Sequence, residues 1–383
     1  MSNAFERFVA SLTDAGLSIV DRDLEQGPRV TIAHREDVIL FELGWRDDES
    51  PCYARTERFN VSARPLRRAG GLDDEGRALV ERAMDVLRAL EDELAPAPRT
   101  PPPAARAEVR ELRVTRALGI EGHGRYYLNP YVGCMIGCPF CWVDGRSDLG
   151  RALEGRPALP WGRWVDVKVN LAEVLRDEVR RLPPGPVRIS PVVTDPYQPI
   201  ERKHRITRRC LEVLLPAGFT PILLTRAKRV LDDLELLSRY RNVAVGVSIP
   251  TDDDAVRRAF EPAADPIEDR LDAMRALHEA GVVTFAVVQP VLPMDVERLV
   301  ELVAPYAAAV RLDRMHEVRR ALPLYERAGH VEAASAGFAE RTLARLHAAF
   351  RERRVPIDDR DDLATLVLEA LARRGSALPP RPR

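Results

Sequence analysis

From residue 124 onward, short apolar runs alternate with stretches of helical period, and this alternation limits the possible fold more than any other feature of the chain. Strand-like runs lie at 124–130, 187–193, 221–225, 243–249, 282–289 and 308–312, with helical periodicity at 171–182, 206–215, 230–237, 267–280 and 296–306. In the first helical stretch Leu171, Val174, Leu175 and Leu182 share a face, and 267–280 stops at Gly281, a residue suited to a helix C-terminus. Strands without a polar alternation belong to a parallel sheet covered by helices. Eight βα units close a barrel, so about six predict a partial (β/α)6 TIM-like barrel. A doubly wound sheet is the alternative, but only a loose cluster of Gly119, Gly122 and Gly124 stands where its phosphate-binding glycines belong. Residues 338–354 and 361–373 read as closing helices.

Residues 1–95 have a different pattern, that of a small α+β domain. Phe5, Phe8, Val9 and Leu12 repeat at helical spacing; strand-like runs follow at 18–20, 29–33, 38–43 and 53–59. A helix is expected over 74–94, with Leu79, Val80, Ala83, Val86, Leu87 and Leu90 on one face. No catalytic residue types cluster there, which suggests docking or substrate recruitment. Residues 95–104 read Ala-Pro-Ala-Pro-Arg-Thr-Pro-Pro-Pro-Ala. So many fixed φ angles and missing N–H groups imply a stiff linker, placed at 96–110, ahead of a 111–320 barrel domain and a 321–383 helical extension.

With 45% hydrophobic residues among 383, the chain can bury a core. The 58 basic residues are balanced by 59 acidic ones, so no bulk positive field exists to hold a polyanion. No run of 18 apolar residues and no signal peptide are visible, so a cytoplasmic protein with reduced thiols and no membrane partner is expected.

Three of the five cysteines crowd into Asn129-Pro-Tyr-Val-Gly-Cys134-Met-Ile-Gly-Cys138-Pro-Phe-Cys141-Trp, just after the first strand of the barrel region. Such a loop can turn three thiolates, Cys134, Cys138 and Cys141, toward one centre. Structural zinc wants four ligands, and no second ligand pair follows downstream. A four-iron, four-sulfur cube held by three thiolates keeps one iron open, as a catalytic centre needs. The rival is a non-catalytic iron–sulfur or zinc protein that senses redox state or binds partners.

Cys134-x-x-x-Cys138-x-x-Cys141, with Phe140 before the last cysteine, resembles the radical S-adenosylmethionine (radical SAM) enzymes. Asn129-Pro-Tyr-Val-Gly-Cys134 and Thr194-Asp195-Pro-Tyr-Gln-Pro-Ile-Glu201 are similar to the branch that contains spore photoproduct lyase. The resemblance spans about residues 110–320. It implies a [4Fe-4S] cluster on the three cysteines, S-adenosylmethionine on the open iron, an external one-electron reductant of flavodoxin or ferredoxin type, and hydrogen abstraction from an unidentified substrate. That substrate could be a small molecule or peptide of specialised metabolism, or a nucleic acid. It further implies that Thr194 and Asp195 meet the cofactor's ammonium and Arg226 its carboxylate. Ser248 would add a hydrogen bond, with Gln289 and Phe140 near the adenine. A carboxylate for an ammonium and a guanidinium fork for a carboxylate are chemically apt.

Tyr197, Gln198 and Glu201 are the candidate substrate contacts, being next to that site in sequence. The chain also departs from the lyase: Val192 stands where the lyase has its hydrogen-donating cysteine, and Trp142 where it has a tyrosine. Cys210 shares a helical face with Ile206, Val213 and Leu214 and reads as an ordinary buried thiol. Tyr126, Tyr127 and Tyr131 read as packing residues, Asp252-Asp-Asp254 as acids at a helix start, and the basic run 202–209 as a solvated face.

Overall fold

A computed structural model describes residues 4–24, 27–35, 37–46, 52–66, 70–95, 106–122, 124–189, 193–316, 318–359 and 362–374. The chain divides into two compact units: residues 1–107 with 121–123 and 142–163, and residues 108–120 with 124–141 and 164–383. Segment 142–163, expected within the barrel domain, thus groups with the N-terminal residues. The expected proline linker lies almost wholly outside the described residues, as does Val192.

The first unit opens with α1 (Ala4–Asp14), followed by β1 (Ile19–Asp23), β2 (Arg29–His34), β3 (Asp37–Trp45), β4 (Ala54–Arg55), β5 (Phe59–Pro65) and α2 (Asp74–Leu94). Its strands form an antiparallel sheet in the order β1-β2-β3-β5-β4. Phe5, Phe8, Phe41, Phe59, Val80 and Leu87 fill the core between this sheet and the two helices. The run expected at 53–59 is instead two strands, because Thr56 turns the chain and Phe59 begins the long pairing with β3.

The second unit contributes β6 (Glu108–Leu112), β7 (Gly119–Gly122), β8 (Arg125–Tyr127) and β9 (Tyr131–Val132) before the chain returns to the first unit as α3 (Val143–Leu153). The sequence hides α3 because two glycines lower its propensity. One of them is required: a Cβ on Gly150 would lie 2.3 Å from the Leu24 carbonyl oxygen. Then come β10 (Trp164–Lys168), α4 (Leu171–Glu178), β11 (Pro186–Ile189), α5 (Glu201–His204), α6 (Ile206–Leu214), β12 (Thr220–Thr225), a 3₁₀ turn at Lys228–Asp233, and α7 (Leu234–Ser238). They are followed by β13 (Ala244–Ser248), α8 (Asp254–Phe260), α9 (Ile267–Glu279), β14 (Val283–Val288), α10 (Val296–Val303), β15 (Val310–Leu312), α11 (Val318–Ala328), α12 (Ala336–Glu352) and α13 (Leu363–Arg373).

The main sheet runs β15-β14-β13-β12-β11-β8-β7, and β8, β11, β12, β13, β14 and β15 are parallel neighbours in chain order. It is an open sheet in a mixed α/β unit, with β7 and β15 as its outer strands. Period-two alternation splits its side chains between two cores. Val247, Ala286 and Val288 pack with α9, α10 and α12, while Ala244, Val283, Phe285 and Val287 pack with α13. A small second sheet, β6-β10-β9, carries the cysteine-proximal strand. No helix among the described residues is long and apolar enough to cross a membrane.

Candidate active site

The cysteine loop leaves β9 at Gly133, whose φ of +84° favours glycine. A Cβ there would lie 2.6 Å from the Trp164 ring and 2.7 Å from its carbonyl oxygen, so β10 forces the turn that begins the loop. Two tight turns follow: Gly137 N–H donates to the Cys134 carbonyl at 3.2 Å, and Cys141 N–H to the Cys138 carbonyl at 3.0 Å. Cys134 and Cys138 are buried; Cys141 is half-buried. Burial pushes the Cys134 thiol up to about 12, with the Asp195 charge adding to it, while the backbone N–H groups of Asp195 and Ile136 pull the other way. Cys138 is likewise raised by burial against the pull of Arg226. Among the described residues, no three or more His, Cys, Asp or Glu side chains gather closely enough to hold a single metal ion.

The loop is clamped from the segment after β11. The Gln198 carboxamide is wholly buried; its oxygen accepts from Met135 N–H at 2.7 Å, and its nitrogen donates to the Gly133 carbonyl at 3.1 Å and to Thr194 Oγ1 at 2.5 Å. Thr194 in turn donates to the Gly133 carbonyl at 2.7 Å. Cys134 is thereby fixed from both sides of its backbone.

Asp195 ties its own segment to the end of β12. Its Oδ1 accepts from Tyr197 N–H at 2.9 Å and Thr225 Oγ1 at 2.6 Å, and its Oδ2 from Arg226 N–H at 2.9 Å. Burial raises its pKa despite these bonds. Arg226, just past β12, lies with Nη1 2.8 Å from Cys138 Sγ and 2.7 Å from Glu261 Oε1, and with Nη2 3.3 Å from Ser248 Oγ. Burial opposes the Arg226 charge, but Cys138, Glu261 and Asp195 hold its pKa above the ordinary value. Beyond Glu261 lies Arg270, paired with it at 2.7 Å. Nothing in the sequence marks either residue, because glutamate and arginine ordinarily face water.

Of the residues read from sequence, Cys134, Cys138, Thr194, Asp195, Gln198, Arg226 and Ser248 are therefore linked by direct contacts, and Phe140 is buried in the same loop. Gln289 follows β14 and donates to Asp313 at 3.0 Å, beside His316, instead of joining these contacts. Tyr197 and Glu201 are buried in a separate polar network. Tyr197 donates to Asp233 at 3.0 Å, which also takes Arg208 at 2.8 Å. Glu201 accepts from the Tyr131 hydroxyl and from the N–H groups of Thr207 (3.1 Å) and Arg208 (3.2 Å). Burial pushes the Glu201 carboxyl up to about 7 against those donors. Tyr131 joins this network rather than serving as plain packing, whereas Cys210 is buried among apolar neighbours. Asp253 caps α8, and Asp254 binds Arg257 and Arg258.

The radical SAM superfamily model matches residues 128–303, which contain the loop and four of the six parallel strands, β11 to β14. The chain belongs to the radical SAM superfamily. It is 30% identical to an uncharacterized protein of Acidianus two-tailed virus over 207 residues, 52% of this chain and 68% of the relative. It is 29% identical to an uncharacterized protein of Methanocaldococcus jannaschii over 184 residues, 48% of this chain and 67% of the relative. A radical SAM Nα-GlyT isomerase of Pseudomonas phage M6 is 27% identical over 167 residues, 43% of this chain and 32% of the relative. Among solved structures, a spore photoproduct lyase mutant aligns with a TM-score of 0.40 at 16% identity, covering 70% of this chain and 78% of that one. Asp195 after β11, Arg226 after β12 and Ser248 at the end of β13 stand at successive strand carboxyl ends, where binding sites on parallel βα folds gather.

Proposed function

We propose that this radical SAM enzyme holds a [4Fe-4S] cluster on Cys134, Cys138 and Cys141 and uses it to cleave S-adenosylmethionine reductively and abstract hydrogen from a substrate. The single observation that carries the reading is the contact set joining the cysteine loop to the ends of β11, β12 and β13 through Thr194, Asp195, Gln198 and Arg226. The six parallel strands then form the partial (β/α)6 barrel that supports the site, in a cytoplasmic protein.

The donor set suits the cluster. Three thiols on one short loop supply three corners, and N–H groups aimed at the Cys134 sulfur stabilise it once deprotonated. When bound, the cluster and S-adenosylmethionine together supply the one-electron chemistry. The protein's own part is placement. An ionised carboxylate has about four acceptor directions, and Asp195 uses three internally, so one on Oδ2 remains for the cofactor's ammonium. A guanidinium has five N–H donors, and Arg226 spends three on Cys138, Glu261 and Ser248, leaving donors for the cofactor's carboxylate. Ser248 adds a hydroxyl beside it. Phe140 and, further along the sheet, Gln289 are the adenine-side candidates. An external flavodoxin- or ferredoxin-type protein supplies the electron. Gln198 works as a clamp on the loop, and Tyr197 and Glu201 border a small cavity of about 210 Å³ with Arg202, Arg205, Arg229 and Asp233, where a substrate group could be met. Substrate class stays between a small molecule or peptide of specialised metabolism and a nucleic acid.

The test is anaerobic reconstitution, iron and sulfide counts, and incubation with S-adenosylmethionine and a reductant. About four irons and four sulfides per chain with release of 5′-deoxyadenosine is expected. Replacing any one of Cys134, Cys138 or Cys141 by alanine should bring 5′-deoxyadenosine to background. Tightly held zinc without cleavage would instead mark a non-catalytic metal protein.

A further inference from the structure

Glu261 and Arg270 are both wholly enclosed, and neither meets the cofactor in the reading above. Their carboxylate and guanidinium stand 2.7 Å apart. Arg270 is itself anchored: Nη1 donates to the Ser248 carbonyl at 2.9 Å and Nε to the Asp265 carbonyl at 2.8 Å. The other oxygen of Glu261 holds Arg226 Nη1 at 2.7 Å, and that same nitrogen rests 2.8 Å from Cys138 Sγ. The end of β13, the residue after α8 and the first turn of α9 thus converge, through side chains, on one guanidinium.

Stability alone does not account for this string. Taking ions out of water costs several kcal/mol each, and buried ion pairs are often matched by apolar residues of the same volume. What apolar residues could not do is fix the direction of the Arg226 fork. The string carries two positive charges and one negative, so it presents a net positive charge to a sulfur. Hydrogen bonds to cysteine sulfur and local charge are among the terms that set an iron–sulfur reduction potential.

We propose that Glu261 and Arg270 are positioning residues that hold the Arg226 guanidinium against Cys138 Sγ, and that this contact makes the centre ligated by Cys138 easier to reduce. This rests on Cys138 being a cluster ligand. No bond forms or breaks: one electron from the external reductant enters, and the guanidinium offsets the added negative charge.

The measurement is a redox titration of the reconstituted, S-adenosylmethionine-free protein, followed by low-temperature electron paramagnetic resonance. Arg226→Gln is expected to lower the equilibrium constant for reduction about tenfold, a midpoint about 59 mV more negative for one electron, and Glu261→Gln to shift it the same way by less, because loss of its own negative charge partly offsets the release of the Arg226 fork. The double variant is expected to shift no further than Arg226→Gln alone, because Glu261 acts through Arg226. Arg270→Lys keeps a charge opposite Glu261 but loses the planar fork that also reaches the Ser248 carbonyl, and should give a smaller shift of the same sign. Thermal unfolding and iron content establish that each variant is folded and loaded, and should Glu261→Gln not fold, Arg270→Lys decides. A wild-type potential in whichever of these is folded and loaded, or additive shifts in the double variant, overturns the positioning role. A wild-type chain that assembles no cluster overturns the parent reading, and the positioning role with it.

Discussion

The core of the first unit and the strand ends of the second use burial for opposite purposes. Between α1, α2 and the five-stranded sheet the enclosed side chains are almost all apolar, with phenylalanine rings in contact: Phe8 is 6.3 Å from Phe5 and 6.4 Å from Phe41, centroid to centroid. At the ends of β11, β12 and β13 the enclosed set includes Thr194, Asp195, Gln198, Glu201, Thr225, Ser248, Glu261 and Arg270. Polar burial is costly unless every group is partnered, so a chain that concentrates it at one place is spending stability there on geometry. Apolar burial in the first unit carries no such demand. The contrast predicts that damage to the first region lowers stability and leaves the proposed cluster site intact, while damage of equal or smaller size in the second disturbs it.

The largest effect expected on stability lies in the first region. Phe8→Ala removes a wholly buried ring and should cost about 3–5 kcal/mol, read by chemical denaturation. Iron content of the folded fraction should match wild type. A fall in iron per folded chain would break the separation between the regions.

Next in size is a pH effect confined to the second region. With Glu201 raised from 4.5 to about 7, the folded chain binds this proton more tightly than the unfolded chain. Stability is then full below about pH 4.5, falls as pH rises toward 7, and levels off above; the total is roughly 3 kcal/mol. Glu201→Gln should flatten that slope while lowering stability at acid pH, since its NH₂ meets donors from Tyr131, Thr207 and Arg208. An unchanged slope would show that Glu201 ionises normally in the fold.

How much of this was readable beforehand follows from distance along the chain. The cysteine trio, Gly133 and Gly137 sit in one segment, so the chemistry proposed for them can be read from the sequence itself. Asp195, Arg226 and Ser248 could be named as candidates because strand ends are local features with a known meaning. Glu261 and Arg270 could not: their roles depend on partners 35 and 22 residues away, Arg226 and Ser248, in a chain whose charged residues reach 31%. Gln198 was placed near the site but read as a substrate contact, since nothing local indicates that a glutamine points back at Met135 and Gly133. The same limit applies to elements. Helix α2 was legible over its whole length from its apolar stripe, and Asp73 caps it as a side chain of that type should. Strand β10 was missed because buried Asp166 and Lys168 break its apolar pattern; Asp166 is held there by Arg110 on β6, again a distant partner.

Gln198→Leu is the sharper test of the comparison. It leaves Met135 N–H without its acceptor and should cost about 1–3 kcal/mol. Unlike Phe8→Ala, this smaller loss should lower iron retained after anaerobic desalting, because the backbone on both sides of Cys134 is released. Equal iron in the two variants would mean that the loop holds its shape without the clamp.

The smallest effect supplies the control at matched cost. Asp73 accepts from Gly76 N–H at 2.8 Å at the start of α2 and also pairs with buried His34 at 2.8 Å. Asp73→Ala removes the cap and takes this partner from buried His34, and should lower stability by about 1–2 kcal/mol. Asp73→Asn keeps an oxygen for Gly76 and should recover most of that loss. Both variants should hold iron like the wild type, even though their stability loss overlaps the lower end of that expected for Gln198→Leu. If Asp73→Ala sheds iron in proportion to its lost stability, retention tracks global unfolding, and the clamp loses its special standing.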